Sequence, residues 1–75
     1  MDLSGKNLAK INFRNADLSN TTFTNANLIE TDFTNSNLSN SNLSNADLSY
    51  TTFTNVNLTN TDFEGVELFL SLIHI

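Results

Sequence analysis

The sequence contains no cysteine, no proline and no tryptophan, and its only histidine is the penultimate residue, His74. Without cysteine the chain has neither a disulfide framework nor a thiol nucleophile. No lysine or histidine lies where it would activate a serine, and no metal-ligand spacing or glycine-rich phosphate loop is present. The sequence therefore predicts a protein that is not an enzyme and has no catalytic, cofactor-binding or metal site.

Positive charge and long apolar runs are also scarce. Three Lys and Arg residues stand against eight Asp and Glu residues, which gives a net charge of −5 at pH 7. This balance disfavours direct binding of nucleic acid. No apolar run reaches the length of a membrane span, and no signal-peptide pattern is present. We expect a cytoplasmic protein without a membrane partner.

What the sequence does contain is an unbroken period of five residues. Leu or Phe recurs at every fifth position, in fourteen successive registers, before the pattern ends near the C-terminus. Self-similarity at a fixed period is the signature of repeat architectures. We predict that these side chains form a single core stack: Leu3, Leu8, Phe13, Leu18, Phe23, Leu28, Phe33, Leu38, Leu43, Leu48, Phe53, Leu58, Phe63 and Leu68.

A period of five fits neither an α-helix nor a flat strand. On a helix, five residues rotate the side chain by about 140°, so the apolar positions would wind around the axis. In a strand, an odd spacing would place successive apolar residues on opposite faces. All of them can share one interior only if the backbone turns once in every five residues. The pattern therefore predicts a solenoid.

The turn position indicates how many sides each coil has. The residue two after each Leu or Phe is usually Asn or Gly, which tolerate a positive φ. The exceptions before the last residue are Lys10, Glu30, Tyr50 and Leu70, and they lie twenty residues apart. A coil of fifteen or twenty-five residues would scatter them, whereas a coil of twenty places them in one column. We predict an all-β, quadrilateral β-helix with four pentapeptides per coil and just under four coils.

Units such as Ala16-Asp17-Leu18-Ser19-Asn20 and Ala46-Asp47-Leu48-Ser49-Tyr50 resemble the pentapeptide repeat family. The resemblance covers residues 1 to about 68 and implies a right-handed β-helix. The pattern dissolves in the segment Glu67–Ile75. We therefore expect a repeat β-helix over residues 1–70 and an apolar C-terminal tail or cap over residues 71–75.

One side of the predicted coil differs from the other three. We call it the Leu8 side; it consists of residues 7–10, 27–30, 47–50 and 67–70. Bulky or apolar residues collect at its outward positions, whereas the other three sides carry nearly uniform Ser or Thr followed by Asn or Gly. Two interpretations remain open, a contact surface or a second turn type that tolerates any residue. The candidate interaction surface consists of Lys10, Ile29, Glu30, Tyr50, Phe69 and Leu70, with Lys10 and Glu30 as a flanking pair one coil apart.

The ends of the repeat offer further candidates. Lys6 falls at an inward position, where burial of its ammonium group would be costly. We therefore expect its side chain to extend over the rim of the first coil into solvent. The apolar end of the chain either folds under the last coil as a cap or forms a dimer contact. A dimer contact is possible because the unpaired backbone groups at the rim of a solenoid can pair with another chain. The residues of this candidate cap or dimer end are Leu70, Leu72, Ile73 and Ile75.

Two functions follow from these features. The first is a non-catalytic protein-interaction or scaffold module that forms a homo-oligomer or stacks end to end on another repeat protein. The alternative is an acidic DNA mimic that binds DNA gyrase or another topoisomerase, as some members of the resembled family do. Duplex DNA carries about one charge per 1.7 Å. Eight carboxylates spread over four sides do not match that density.

Overall fold

The chain winds into stacked coils of twenty residues. A computed structural model describes the backbone of residues 1–74 and the side chains of residues 1–71. Its isolated β-bridges are all parallel and join residues twenty positions apart, from Asp2↔Thr22 to Asp47↔Glu67. Two longer strands, β1 (Thr52–Thr54) and β2 (Leu72–His74), pair in the same register, with Thr52 opposite Leu72. The predicted four-sided coil is confirmed.

Backbone hydrogen bonds between coils hold each side together. On the Leu8 side, the Leu8 amide donates to the Asn27 carbonyl at 2.8 Å, and the Asn27 amide donates to the Lys6 carbonyl at 2.9 Å. The same pattern recurs on the other sides. Because each inner coil is bonded to a coil above and a coil below, its buried backbone groups are satisfied without long strands.

The core is a closely packed column of Leu and Phe. Phe33 lies between Phe13 and Phe53, with near-parallel rings whose centroids are 5.6 Å and 5.2 Å away, and Phe23 packs edge-on against it at 6.2 Å. Aromatic rings favour both arrangements. The buried members of the predicted stack are Leu18, Phe23, Leu28, Phe33, Leu38, Leu43, Leu48 and Phe53.

Members of the predicted stack near the two ends are less covered. Leu3, Leu8, Phe13, Leu58 and Phe63 are partly buried against the core, whereas Leu68 is 41% exposed. Leu68 belongs to the last described coil and therefore has a neighbouring coil on one side only. Lys6 is exposed at the first coil, where the sequence places it at an inward position.

The Asn and Asp residues that precede Leu or Phe shape each side locally. Their side-chain oxygens accept the amide of the residue two positions later, as in Arg14 N to Asn12 Oδ1 at 2.9 Å and Ser39 N to Asn37 Oδ1 at 2.9 Å. Such Asx turns stabilise the bend of the backbone through hydrogen bonds within one coil, so the bend does not depend on contacts with a neighbouring coil. They explain why this position of the repeat is so uniform.

The segment after residue 70 continues the coil. Strand β2 pairs with β1 in the twenty-residue register, so its backbone extends the ladder instead of folding beneath the last coil. Ile75 lies outside the described residues, as do the side chains of Leu72 and Ile73, so the proposed dimer contact at this end stays a prediction. Over the described range, no helix has the length and apolarity required to cross a bilayer.

Two glycines at corresponding corners provide a matched test of the packing between coils. Both have positive φ, 67° at Gly5 and 71° at Gly65, but a Cβ at Gly5 would meet nothing within 4 Å, whereas a Cβ at Gly65 would overlap Oδ1 of Asn45. We expect Gly65→Ala to lower the free energy of unfolding by about 1 kcal/mol more than Gly5→Ala, because Asn45 must leave its rotamer. Urea denaturation measures the difference, and equal losses would contradict this packing.

Candidate interaction surface

The corner of the Leu8 side has the same turn as the other three corners. Lys10, Glu30, Tyr50 and Leu70 have φ values of 64°, 61°, 61° and 52°, and the Asn residues at the other corners have φ values of 56° to 61°. The ladder is also unchanged, since the Lys10 amide donates to the Ile29 carbonyl at 2.8 Å. The interpretation of a second turn type is therefore wrong. The backbone hydrogen bonds impose one left-handed corner whatever residue occupies it.

Because the turn is the same at all four corners, the residues at the corner of the Leu8 side lower the stability of the protein relative to Asn or Gly. A left-handed conformation costs an ordinary L-residue about 1 kcal/mol, whereas Gly and Asn adopt it readily. Every other described corner carries Asn or Gly. The four exceptions are exposed, Tyr50 at 48% and Leu70 at 71%, and contribute little to the core. Strain that the fold does not require is an indication of a functional surface.

An exposed aromatic pair stands next to this corner. The rings of Tyr50 and Phe69 meet edge to face with centroids 5.6 Å apart, and Phe69 is 63% exposed. Leu70 extends the apolar surface, and Ile29 lies half-buried one coil above Ser49. Exposed apolar clusters of this kind mark contact sites in soluble proteins. The structure thus brings Ile29, Tyr50, Phe69 and Leu70 together on one side.

The predicted flanking ion pair is not formed. Among the side chains that the structure describes, the only salt bridge joins Arg14 to Asp32, at 3.1 Å, on the neighbouring side. Lys10 and Glu30 share a column, but each extends into solvent. Arg14 and Asp32 lie eighteen residues apart, in adjacent coils and in different columns. The twenty-residue spacing of a single column therefore does not predict this pair.

The carboxylates do not form a continuous negative row. In the register of the β-bridges, Asp47 and Glu67 are the only two that face each other across adjacent coils within residues 1–71. The others are distributed over all four sides. That part of the chain also contains no pocket and no cluster of potential metal ligands.

Three aspartates have hydrogen-bond partners that lower the pKa. At Asp32, the Thr34 hydroxyl donates to Oδ1 at 2.6 Å, and this hydrogen bond is the main reason why the pKa of Asp32 is below its ordinary value. Ser19 lowers the pKa of Asp17 in the same way, and Ser4 that of Asp2. Each of these carboxylates closes a turn of the repeat, so its shifted pKa reflects the hydrogen bonds of that turn.

We expect a corresponding loss of stability in acid. A carboxyl with a lowered folded-state pKa contributes stability above its unfolded-state pKa, and that contribution disappears as the pH falls through the folded-state value. The free energy of unfolding should therefore be constant above about pH 5 and decrease below about pH 4. Asp32→Asn, which keeps an Asx acceptor as at Asn12, should show a weaker decrease in urea titrations. An unchanged pH profile in this variant would contradict the assignment.

Comparisons with known proteins agree with this geometry. A family model described as "Pentapeptide repeats" matches residues 2–35 and 26–65, in eight copies. No curated protein shows significant similarity to the sequence. Several solved structures are similar over nearly the whole chain.

Three of these structures come from two cyanobacteria and a plant. Rfr23 from Cyanothece 51142 is 28% identical with a TM-score of 0.56, over 97% of this chain and 54% of its own. HetL from Nostoc sp. strain PCC 7120, involved in heterocyst differentiation regulation, is 23% identical with a TM-score of 0.70, over 95% and 38%. A protein from the Arabidopsis thaliana thylakoid lumen is 26% identical with a TM-score of 0.56, over 95% and 60%. The chain thus spans about two fifths to three fifths of these neighbours.

Proposed function

Because the chain belongs to the pentapeptide repeat family, with its right-handed quadrilateral β-helix, we propose that it is a non-catalytic protein-interaction or scaffold module. Its contact surfaces are the Leu8 side and the ends of the solenoid. The partner is protein, either a second copy or another repeat protein on which it stacks. A cytoplasmic location stays a prediction, and one structural neighbour comes from a thylakoid lumen.

The observation that carries this proposal is the column Lys10, Glu30, Tyr50 and Leu70. These residues occupy left-handed corners that Asn or Gly occupies everywhere else in the described chain. A residue that served only the fold would be Asn or Gly here as well. The exposed Tyr50–Phe69 pair beside the column adds the aromatic surface that protein contacts favour.

One structural neighbour has a role in regulation. HetL is involved in heterocyst differentiation regulation, and it shares the coil architecture with this chain at 23% identity. Regulation by a rigid solenoid is in keeping with a flat side that presents side chains to a partner. The alternative function, mimicry of DNA toward a topoisomerase, has less support, because the carboxylates form no row along any one side.

The proposal is tested by removing the apolar character of the Leu8 side. We expect Ile29→Ser/Tyr50→Asn to keep the fold, because Ser and Asn occupy the corresponding positions on other sides, and to lose binding of protein partners. Solution mass and affinity capture from a lysate of the source organism measure self-association and binding to other proteins. The matched control, Thr59→Ala on the opposite side, should bind like the wild type. Unchanged assembly and capture in the double variant would contradict the proposal.

A further inference from the structure

We propose that the Leu8 side binds the Leu8 side of a second copy in antiparallel orientation, with a two-fold axis between the second and third coils. This inference rests on the proposed function and names its partner. In this arrangement the first coil of one copy faces the last coil of the other. Each column of the Leu8 side then faces the same column of the partner in reverse order, so the pairing can be examined column by column.

The central column pairs small residues with large ones. From the first coil to the last it contains Ala9, Ile29, Ser49 and Phe69. In the antiparallel dimer, Phe69 meets the partner's Ala9, and Ile29 meets the partner's Ser49. Ser49 is recessed, with an exposed fraction of 8%, whereas Phe69 is 63% exposed. Each of the four contacts across the interface therefore joins a large side chain to a small one, which favours close packing.

The column at positions 7, 27, 47 and 67 pairs hydrogen-bond donors with acceptors. Asn7 faces the partner's Glu67, and Asn27 faces the partner's Asp47. Oδ1 of Asn27 already accepts the Ile29 amide at 3.1 Å, and Oδ1 of Asp47 accepts the Ser49 amide at 3.0 Å. The Asn27 amide group retains donors and Asp47 retains its second oxygen. The two halves of this column are therefore complementary, and no two carboxylates face each other.

The corner column is complementary in the same orientation. Tyr50 faces the partner's Glu30, so its hydroxyl can donate to a carboxylate, which is a strong type of hydrogen bond. Lys10 faces the partner's Leu70, where its methylene stem covers apolar surface while the ammonium stays in water. The bulky residues that are strained in the single chain thus acquire a partner in the dimer.

The parallel orientation lacks these features. A two-fold axis along the solenoid would place Phe69 on the partner's Phe69 and Ile29 on the partner's Ile29. It would also leave Ala9 and Ser49 facing themselves across a gap. Large residues would hold the two sides apart where small ones need contact, so complementarity selects the antiparallel arrangement.

The size of the side limits the affinity. The Cα atoms span 25 × 24 × 20 Å, so one side presents a face of about 500 Å², below the roughly 800 Å² per partner of a standard interface. We therefore expect a weak dimer, with a dissociation constant between roughly 10 µM and 1 mM. Salt should not weaken it, because no ion pair crosses the interface in this register.

Sedimentation equilibrium of single variants tests the register. Ser49→Ile places isoleucine opposite the partner's Ile29, and we expect the dissociation constant to increase about tenfold or more. Circular dichroism of Ser49→Ile checks that the fold is intact, because position 49 lies between the large side chains of Ile29 and Phe69 in the same column. A mixture with Ile29→Ser should restore association, because both central contacts again join a large residue to a small one. Ser39→Ile, on the opposite side, is the control and should dimerise like the wild type.

Several outcomes would overturn the inference. They are a wild-type chain that is monomeric up to about 1 mM, a Ser49→Ile variant that associates as well as the wild type, and a mixture that shows no recovery. If the chain is monomeric while Ile29→Ser/Tyr50→Asn still loses a captured partner, the proposed function stands and the dimer does not. Association unchanged by every variant of the Leu8 side would contradict both.

Discussion

Replacement of Phe33 by alanine is expected to remove a large part of the protein's free energy of unfolding. Phe33 is fully buried, and its ring stacks on Phe13 and Phe53 while Phe23 packs against its edge. Removing a buried Phe costs about 3–5 kcal/mol. A chain of 75 residues has a total stability of about 4–11 kcal/mol. Circular dichroism in urea and on heating will measure the loss, which affects three coils at once.

Two control variants separate core packing from a general effect of mutation. Phe33→Leu retains an apolar side chain of the kind found in the other columns, and we expect a much smaller loss of stability. Phe63→Ala removes a ring that is only partly buried and contacts a single ring, Phe53, at 6.4 Å. Equal destabilisation by Phe33→Ala and Phe63→Ala would contradict a core centred on the second and third coils.

The triple substitution Lys10→Asn/Glu30→Asn/Tyr50→Asn is expected to stabilise the protein. Each residue has a left-handed conformation that costs about 1 kcal/mol more than it costs Asn, and loss of the Tyr50–Phe69 contact offsets part of the gain. We expect a net increase of about 2 kcal/mol in the free energy of unfolding and of about 10 °C in Tm. The same variant should lose self-association.

The reverse exchange on the neighbouring side is the matched control. Asn15→Lys/Asn35→Glu/Asn55→Tyr places the same three residues at left-handed corners in the same three coils. We expect this variant to be less stable than the wild type by a similar amount. If thermal melts show no gain in the first variant and no loss in the second, the corner residues are not strained, and the main support for a functional surface is removed.

Much of the fold is encoded in residue identities that repeat at two periods. Leu and Phe at every fifth position place the core, and the four exceptions among the Asn and Gly corners indicate twenty residues per coil. Side chains in one column meet the same environment in each coil, so a single sequence can reveal the repeat. The position of the Leu8 side follows from the same count.

Features that depend on backbone geometry could not be predicted in this way. Lys10 and Glu30 suggested a different turn, but the hydrogen bonds between coils impose the same φ on any residue. The Arg14–Asp32 ion pair crosses diagonally between two columns. Strand β2 extends the ladder where the Leu and Phe pattern has ended, because pairing with β1 needs only backbone amides and carbonyls.

A dilution series of backbone amide NMR spectra is the most direct test of the Leu8 side as the contact surface. Between about 1 mM and 10 µM, we expect concentration-dependent shifts at residues 7–10, 27–30, 47–50 and 67–70, and constant shifts on the opposite side at residues 17–20, 37–40 and 57–60. Shifts confined to the first and last coils, or spread evenly over all four sides, would contradict the assignment of this surface.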